Sequence, residues 1–267
     1  MRIGRLAKVF QRGASVKIRN RLVLSSMKWR RVTPLTVSLS EAEVFFFAAQ
    51  QNNRRLVGML SPFLPSARCV FDIGANAGFF SKELLTANPG YRGRLVLFEP
   101  ISHLMSLAVR AVSGFTQVEK VFVNAALGDK SGEVQMYLPP NLNIGWITAA
   151  PTTERQRHFV SARISPSSEF LKLYRPEIIK IDVEGYEAHI LHGMLPLVNS
   201  TYKPIFLVEI EFSQRGGSNW RLMERCIEAF HQAGYNFYGI DGHQYTAADL
   251  SNLTEVADIL MRPAESL

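Results

Sequence analysis

The chain is poor in cysteine. Cys69 and Cys226 are the only two, far apart and each inside an apolar segment, so buried reduced thiols are expected and a disulfide or cysteine metal pair is not. No uninterrupted apolar run approaches the ~20 residues that a membrane-spanning helix needs. The front of the chain also lacks the apolar core of a secretory signal, so the body is expected in the cytoplasm. Acid is missing from the first 31 residues, which hold ten Lys/Arg. The rest carries 20 basic and 23 acidic residues, a net −3 inside a chain of +7. The basic charge therefore belongs to an arm, and the body lacks the excess positive charge that gripping a long polyanion requires.

In the arm, helical spacing puts Ile3, Leu6, Ala7 and Phe10 on one face and Arg2, Arg5, Lys8 and Arg12 on the other. A membrane-surface helix giving peripheral contact through residues 1–31, a solvated basic tail and an organellar transit peptide all fit this pattern. The expected division is a basic arm over 1–35 and one catalytic domain over 36–267, since 267 residues with this many alternating elements hold one sizeable core.

Ser40-Glu-Ala-Glu opens a helix that runs to about Leu60 and ends at Pro62 and Pro65. Cys69-Val-Phe-Asp-Ile then reads as a strand, Gly74-Ala-Asn-Ala-Gly78 as a tight loop and Phe79 to Ala87 as a helix. The rhythm repeats with strands at Leu95–Phe98 and Val118–Val123 around a helix from Ser102 to Val112. It breaks between about Glu133 and Ile164, where Pro139, Pro140, Asn141, Asn143 and Gly145 suggest an inserted hairpin or loop. Strands at Glu177–Val183 and Ile205–Ile210 follow, with helices at Tyr186–Met194 and Asn219–Ala233 and closing strands near Phe237 and Ile259. Such alternation predicts an α/β fold: a mostly parallel sheet with helices on both faces.

Ligands of open α/β sheets bind beyond the carboxyl ends of the strands. Those ends carry Asp72 with Gly74, Asn76 and Gly78; Glu99; Asn124; Asp182 and Glu184; and Glu209 and Glu211. A glycine loop after the first strand serves dinucleotides and S-adenosylmethionine alike, and as a bare turn it serves neither. Glu99, about 20 residues on, can accept hydrogen bonds from both ribose hydroxyls of a nucleoside. Asn76 stands where a nicotinamide-binding fingerprint expects its second glycine, which counts against an NAD-dependent oxidoreductase. In Ile178-Ile-Lys-Ile-Asp-Val-Glu-Gly-Tyr-Glu187 charges interrupt a buried strand. Asp182 faces the place where donor and acceptor must meet, whereas Lys180 could simply pair with an acid, and Glu184 or Glu187 could cap the next helix.

Taken together and in order, Val70-Phe-Asp-Ile-Gly-Ala-Asn-Ala-Gly-Phe-Phe-Ser81, Phe98-Glu-Pro100, Asn124-Ala-Ala-Leu-Gly-Asp129, Lys180-Ile-Asp-Val-Glu-Gly-Tyr-Glu187 and Val208-Glu-Ile-Glu211 resemble the FkbM family of methyltransferases. The resemblance covers about Arg68 to Phe212. It implies a Rossmann-like, seven-stranded fold, S-adenosyl-L-methionine as donor, and O-methylation of a sugar, glycan or secondary metabolite. By that match Asp72, Gly74, Asn76 and Gly78 line the donor site, Glu99 holds its ribose and Asn124 lies near the adenine. Where many relatives carry a Leu-Asp-Asp-like stretch, this chain reads Ile164-Ser-Pro-Ser-Ser-Glu169.

Deprotonating a hydroxyl acceptor calls for a general base, with Asp182 and Glu184 the candidate catalytic residues and His189 and His192 alternatives. A divalent ion is the other route, with Asp182, Glu209 and Glu211 as hard oxygen ligands for Mg²⁺. The expected partner is a small-molecule or glycan acceptor and no nucleic acid. An RNA-directed methyltransferase or nucleic-acid-binding protein using the arm is the rival reading.

Overall fold

The computed structural model describes residues 52–138, 149, 158–198, 202–212, 218–250 and 252–264. The basic arm, the helix start expected at Ser40 and most of the proline-rich stretch after Leu138 lie outside the described residues. Helix α1 occupies 52–60 and passes into a 3₁₀ turn at Ser61–Ser66 that contains both prolines. Without an N–H, proline cannot continue the α-helical ladder, and the chain turns into β1.

Strands β1 (Cys69–Ile73), β2 (Arg94–Phe98), β3 (Glu119–Val123), β4 (Ala126–Gly128), β5 (Gly132–Leu138), β6 (His158–Pro166), β7 (Ile178–Ile181), β8 (Ile205–Glu211), β9 (Tyr235–Gly239), β10 (Gln244–Tyr245) and β11 (Val256–Pro263) form two sheets. The large one has the order β10-β9-β11-β8-β7-β1-β2-β3. Its half from β3 to β8 is parallel, and β11 enters antiparallel between β8 and β9. Eight strands stand where seven were expected. The addition is β10, a two-residue edge strand, too short and polar to show an alternation.

Side-chain alternation through the sheet builds two cores. One face sends Phe71, Ile73, Ile179, Ile181, Phe206 and Val208 against α4 (Ser167–Tyr174), α5 (Glu187–Val198) and α6 (Ser218–Gln232). Val70, Leu95, Leu97, Ile178 and Leu207 pack on the opposite side against α1, α2 (Phe79–Ala87) and α3 (Ser102–Val112). Every residue of β1 is buried, so this strand has no solvent face and its composition is almost wholly apolar. A last short helix, α7, covers Ala247–Leu250.

The insertion expected between Glu133 and Ile164 is a hairpin: β5 pairs antiparallel with β6, and β4 joins β6 in parallel. Its inner face carries Met136 and Ala162 onto Ile101 and Leu104 at the start of α3. This second sheet thus stands over the carboxyl ends of β2 and β3. Among the described residues no helix is long and apolar enough to cross a membrane.

Candidate active site

A cavity opens at the carboxyl ends of β1, β2 and β7. Gly74, Asn76, Glu99, Pro100 and Leu104 line one side and Asp182, Val183, Glu184 and Tyr186 another, with Ala125, Leu127, Met136 and Ala149 among the remaining walls. The first turn is built by close backbone approach. Gly74 has φ +79°, and a Cβ there would lie 1.9 Å from the Asp182 carbonyl oxygen. At Gly78, φ +78°, a Cβ would lie 2.8 Å from the Ala108 Cα, so this glycine lets α2 start against α3. Both positions need a residue without a side chain. Asn76 also adopts a left-handed φ of 49°, which its side chain supports by accepting the Ala77 N–H at 2.7 Å.

Glu99 is buried at the end of β2, and its two carboxylate oxygens accept the N–H groups of Asn76 at 2.9 Å and Ile101 at 2.8 Å. Burial pushes its pKa up to about 7 against the pull of those two amides. Each oxygen retains a further lone pair for a ligand hydroxyl. Asn124 follows β3 directly: its amide donates to the carbonyls of Glu99 and Pro100 and its oxygen accepts from Ser102. It braces the Glu99 segment and is not among the cavity walls.

Asp72 and Gly78 also stand behind the cavity rather than on it. Asp72 is fully buried, accepts the Ser81 hydroxyl at 2.6 Å and faces Lys180 Nζ at 3.5 Å. The reason is alternation: Asp72 shares the face of Val70, toward α2, and therefore cannot point along the strand axis to a ligand.

After β7 the chain makes a constrained loop. Glu184 has φ +58° and Gly185 φ +103°. Glu187, itself buried, accepts N–H groups from Val183 and Gly185 and fixes the loop from the first turn of α5. Glu187 thus braces the loop that precedes α5, and Glu184 stands on the cavity wall. The Asp182 carboxylate meets Lys180 Nζ at 3.1 Å. The Lys180 ammonium is held above its ordinary pKa, because the charges of Asp182 and Asp72 outweigh a burial that pulls the other way.

Carboxylates crowd the Asp182 side. Asp182, Glu184 and Glu209 each bring an oxygen within 4.8 Å of the others. Glu211, named with them from the sequence, falls outside that group, and both glutamates lie within β8 rather than beyond it. The cause is the β8–β11 ladder, which runs on to Glu211 opposite Val256 and sets Glu209 opposite Asp258. Like charges and burial act together here. The charge of Asp182, then burial, lift Glu209 to about 10. Burial, then Asp182, lift Glu184 to about 9, and burial with Asp182 lifts Asp258 to about 6.

His189 and His192 face away from this cluster, toward Asp129, with Nδ1 of each 3.6 Å from its Oδ2. They are not among the cavity walls. His189 instead stacks on Tyr186, with ring centroids 4.3 Å apart, and so supports a wall residue that sequence reasoning missed. The Gly185-Tyr186 step offered no signal beyond an aromatic beside a glycine. Ser167, in the segment that departs from the resemblance, is buried and donates to the Ile190 carbonyl, a packing role without cavity contact.

No curated protein matches the chain in sequence. Among solved structures, the methyltransferase FkbM from Methylobacillus flagellatus shows 14% identity and a TM-score of 0.45 over 73% of this chain and 43% of its own. The chain thus spans under half of that protein. The O-methyltransferase TomG from Streptomyces achromogenes, involved in tomaymycin synthesis and solved with SAM, shows 15% identity and a TM-score of 0.42 over 80% of each chain. The N-terminal domain of EvdMO1, solved in the presence of SAH and D-fucose, shows 13% identity and a TM-score of 0.44 over 89% of each. The family model for the methyltransferase FkbM domain matches residues 72–237, a span that holds the glycine turn, Glu99 and the whole carboxylate cluster except Asp258. The chain belongs to the FkbM methyltransferase domain family.

Proposed function

We propose that this methyltransferase uses S-adenosyl-L-methionine and methylates a hydroxyl group of a sugar, glycan or secondary metabolite. The observation that carries the reading is one cavity with a nucleoside-type acid, Glu99, and a glycine turn on one side and Asp182 with Glu184 on the other. The fit to the donor rests on Glu99, whose lone pairs suit two ribose hydroxyls, and on the apolar walls at Pro100 and Leu104. Family membership favours methyl transfer over the nicotinamide use of the same turn. The net −3 of the chain after residue 31 supports a small acceptor over RNA.

Bound there, S-adenosylmethionine supplies a methyl group activated by its sulfonium. The protein's part is alignment, exclusion of water and removal of one proton. Asp182, whose carboxylate meets Lys180 Nζ at 3.1 Å, would accept the hydroxyl proton as the acceptor oxygen takes the methyl group from the sulfonium and the thioether leaves. Replacing Asp182 by Asn is expected to lower turnover by about 10²–10⁴-fold while leaving donor affinity in calorimetry largely intact. Equal collapse of donor binding would remove Asp182 from the role of base.

A second reading comes from the three clustered oxygens of Asp182, Glu184 and Glu209. They form a hard set of the kind Mg²⁺ accepts, with Glu184 in the place first given to Glu211. Such an ion would lower the pKa of the acceptor hydroxyl. Labelled-methyl transfer into cell extracts, run with chelator and again with added Mg²⁺, decides between the two. Activity that chelation leaves unchanged supports the base alone. The contact of residues 1–31 with a membrane surface belongs to the same proposal, and vesicle sedimentation of the full chain tests it.

A further inference from the structure

We propose that Lys180 is a positioning residue that holds the Gly74 turn and the Asp182 strand end at one fixed spacing; the role rests on the donor reading of the cavity. Lys180 stands opposite Asp72 in the β1–β7 register, and its side chain runs inside the protein, 5% exposed, toward the strand ends. Its ammonium lies 3.1 Å from Asp182 Oδ2, 3.5 Å from Asp72 Oδ1 and 3.3 Å from the Gly74 carbonyl oxygen. An ammonium has three donors and no acceptor. The ammonium donates to the Gly74 carbonyl and forms ion pairs with Asp72 and Asp182, so its neighbours come from three places: the β1 interior, the donor turn and the strand end that carries the proposed base.

A lysine needed only to neutralise a buried acid would require one carboxylate. This one also spends a donor on a main-chain carbonyl, which carries no charge. That carbonyl belongs to the residue whose missing side chain lets the turn rest against the Asp182 backbone. The two segments touch, so they have no slack, and a slip of either alters the line between methyl donor and base. Asp72 anchors the arrangement from below, since its other oxygen accepts the Ser81 hydroxyl of α2 at 2.6 Å. The Phe80 ring, its centroid 5.5 Å from the ammonium, closes the site on the helix side. Ser81, Asp72, Lys180 and Asp182 thus form one chain of polar contacts from α2 across β1 to the end of β7.

The test compares wild type, Lys180→Met and the double variant Asp72→Asn/Lys180→Met. The double variant removes both charges of the Asp72–Lys180 pair, so it is the one expected to fold where the single one leaves Asp72 unpaired. Calorimetry with S-adenosylmethionine and S-adenosylhomocysteine, well below each melting temperature, gives donor affinity. Hydrogen exchange read by mass spectrometry gives local opening at 74–78 and 182–185. The double variant is expected to bind donor roughly tenfold or more weakly, with faster exchange confined to those two segments. Donor affinity within about threefold of wild type, or exchange that rises evenly over the sheet, overturns the proposal. If wild type itself binds neither donor nor product, the donor reading fails, and the exchange pattern alone then decides whether Lys180 clamps the turn.

Discussion

The same parallel strands end in two kinds of charge. At their amino ends the charges are exposed and matched one to one: Arg68 with Glu177 at 3.2 Å and Arg94 with Glu119 at 2.9 Å, the two arginines 89% and 37% exposed. At their carboxyl ends Asp182, Glu184 and Glu209 share a half-buried space with one lysine. The first arrangement is what solvation and pairing produce unaided. Like charges gathered away from water cost free energy, and the fold tolerates that only where the packing around them is over-determined. An unbalanced end of a sheet is therefore a better marker of function than a charged one.

The largest effect is expected from Gly74→Ala, which puts a Cβ 1.9 Å from a carbonyl oxygen in a left-handed backbone. Strain and overpacking together predict a loss of about 2–5 kcal/mol in urea unfolding. Next is Glu209→Gln, read as stability against pH in chelated buffer. Glu209 in the folded protein keeps its proton to about 10 from an ordinary 4.5, so unfolding releases a proton anywhere between those values. Its stabilising contribution is complete below about 4.5 and is lost as pH rises. The neutral variant should gain on wild type from pH 5 upward, by at least about 1 kcal/mol at pH 8. An advantage that does not grow with pH would mean that the carboxyl end is no more strained than the amino end.

Smaller still is Arg68→Ala at the amino end, where the ion pair is mostly in water and a change under about 1 kcal/mol is expected in the same unfolding assay. Smallest is Gly90→Ala, beyond the end of α2, where a Cβ meets nothing within 4 Å. Its melting curve should coincide with wild type to within about 0.5 kcal/mol. A large cost at either position would erase the distinction between the two ends.

The elements that bury a continuous apolar run were legible from sequence: β1, β2, β7 and β8, with α2, α3, α5 and α6, lie within a few residues of where periodicity puts them. What was not legible shares a cause. In a strand buried on both faces the composition does not say which side a polar residue takes, so Asp72 reads as a ligand residue although it points at α2. Glu209 and Glu211 look equivalent because both fall on one face with period two. Only the pairing of β8 with β11 ranks them. Asn124 and Glu187 have the residue types of a binding site but use them on backbone groups nearby in the fold. β4 and β10 are too short for any period to show, and α4, an eight-residue helix that opens on two serines, is not among the expected helices.

Glu184 holds its place on the cavity wall at a cost in stability. Its backbone has the left-handed torsion that glycine adopts freely and glutamate does not, and its carboxyl group is crowded by those of Asp182 and Glu209. Glycine at 184 would relieve both at once. A laboratory selection for heat resistance alone should therefore reach this position early, and its survivors would be sturdier proteins that had given up one wall of their cavity.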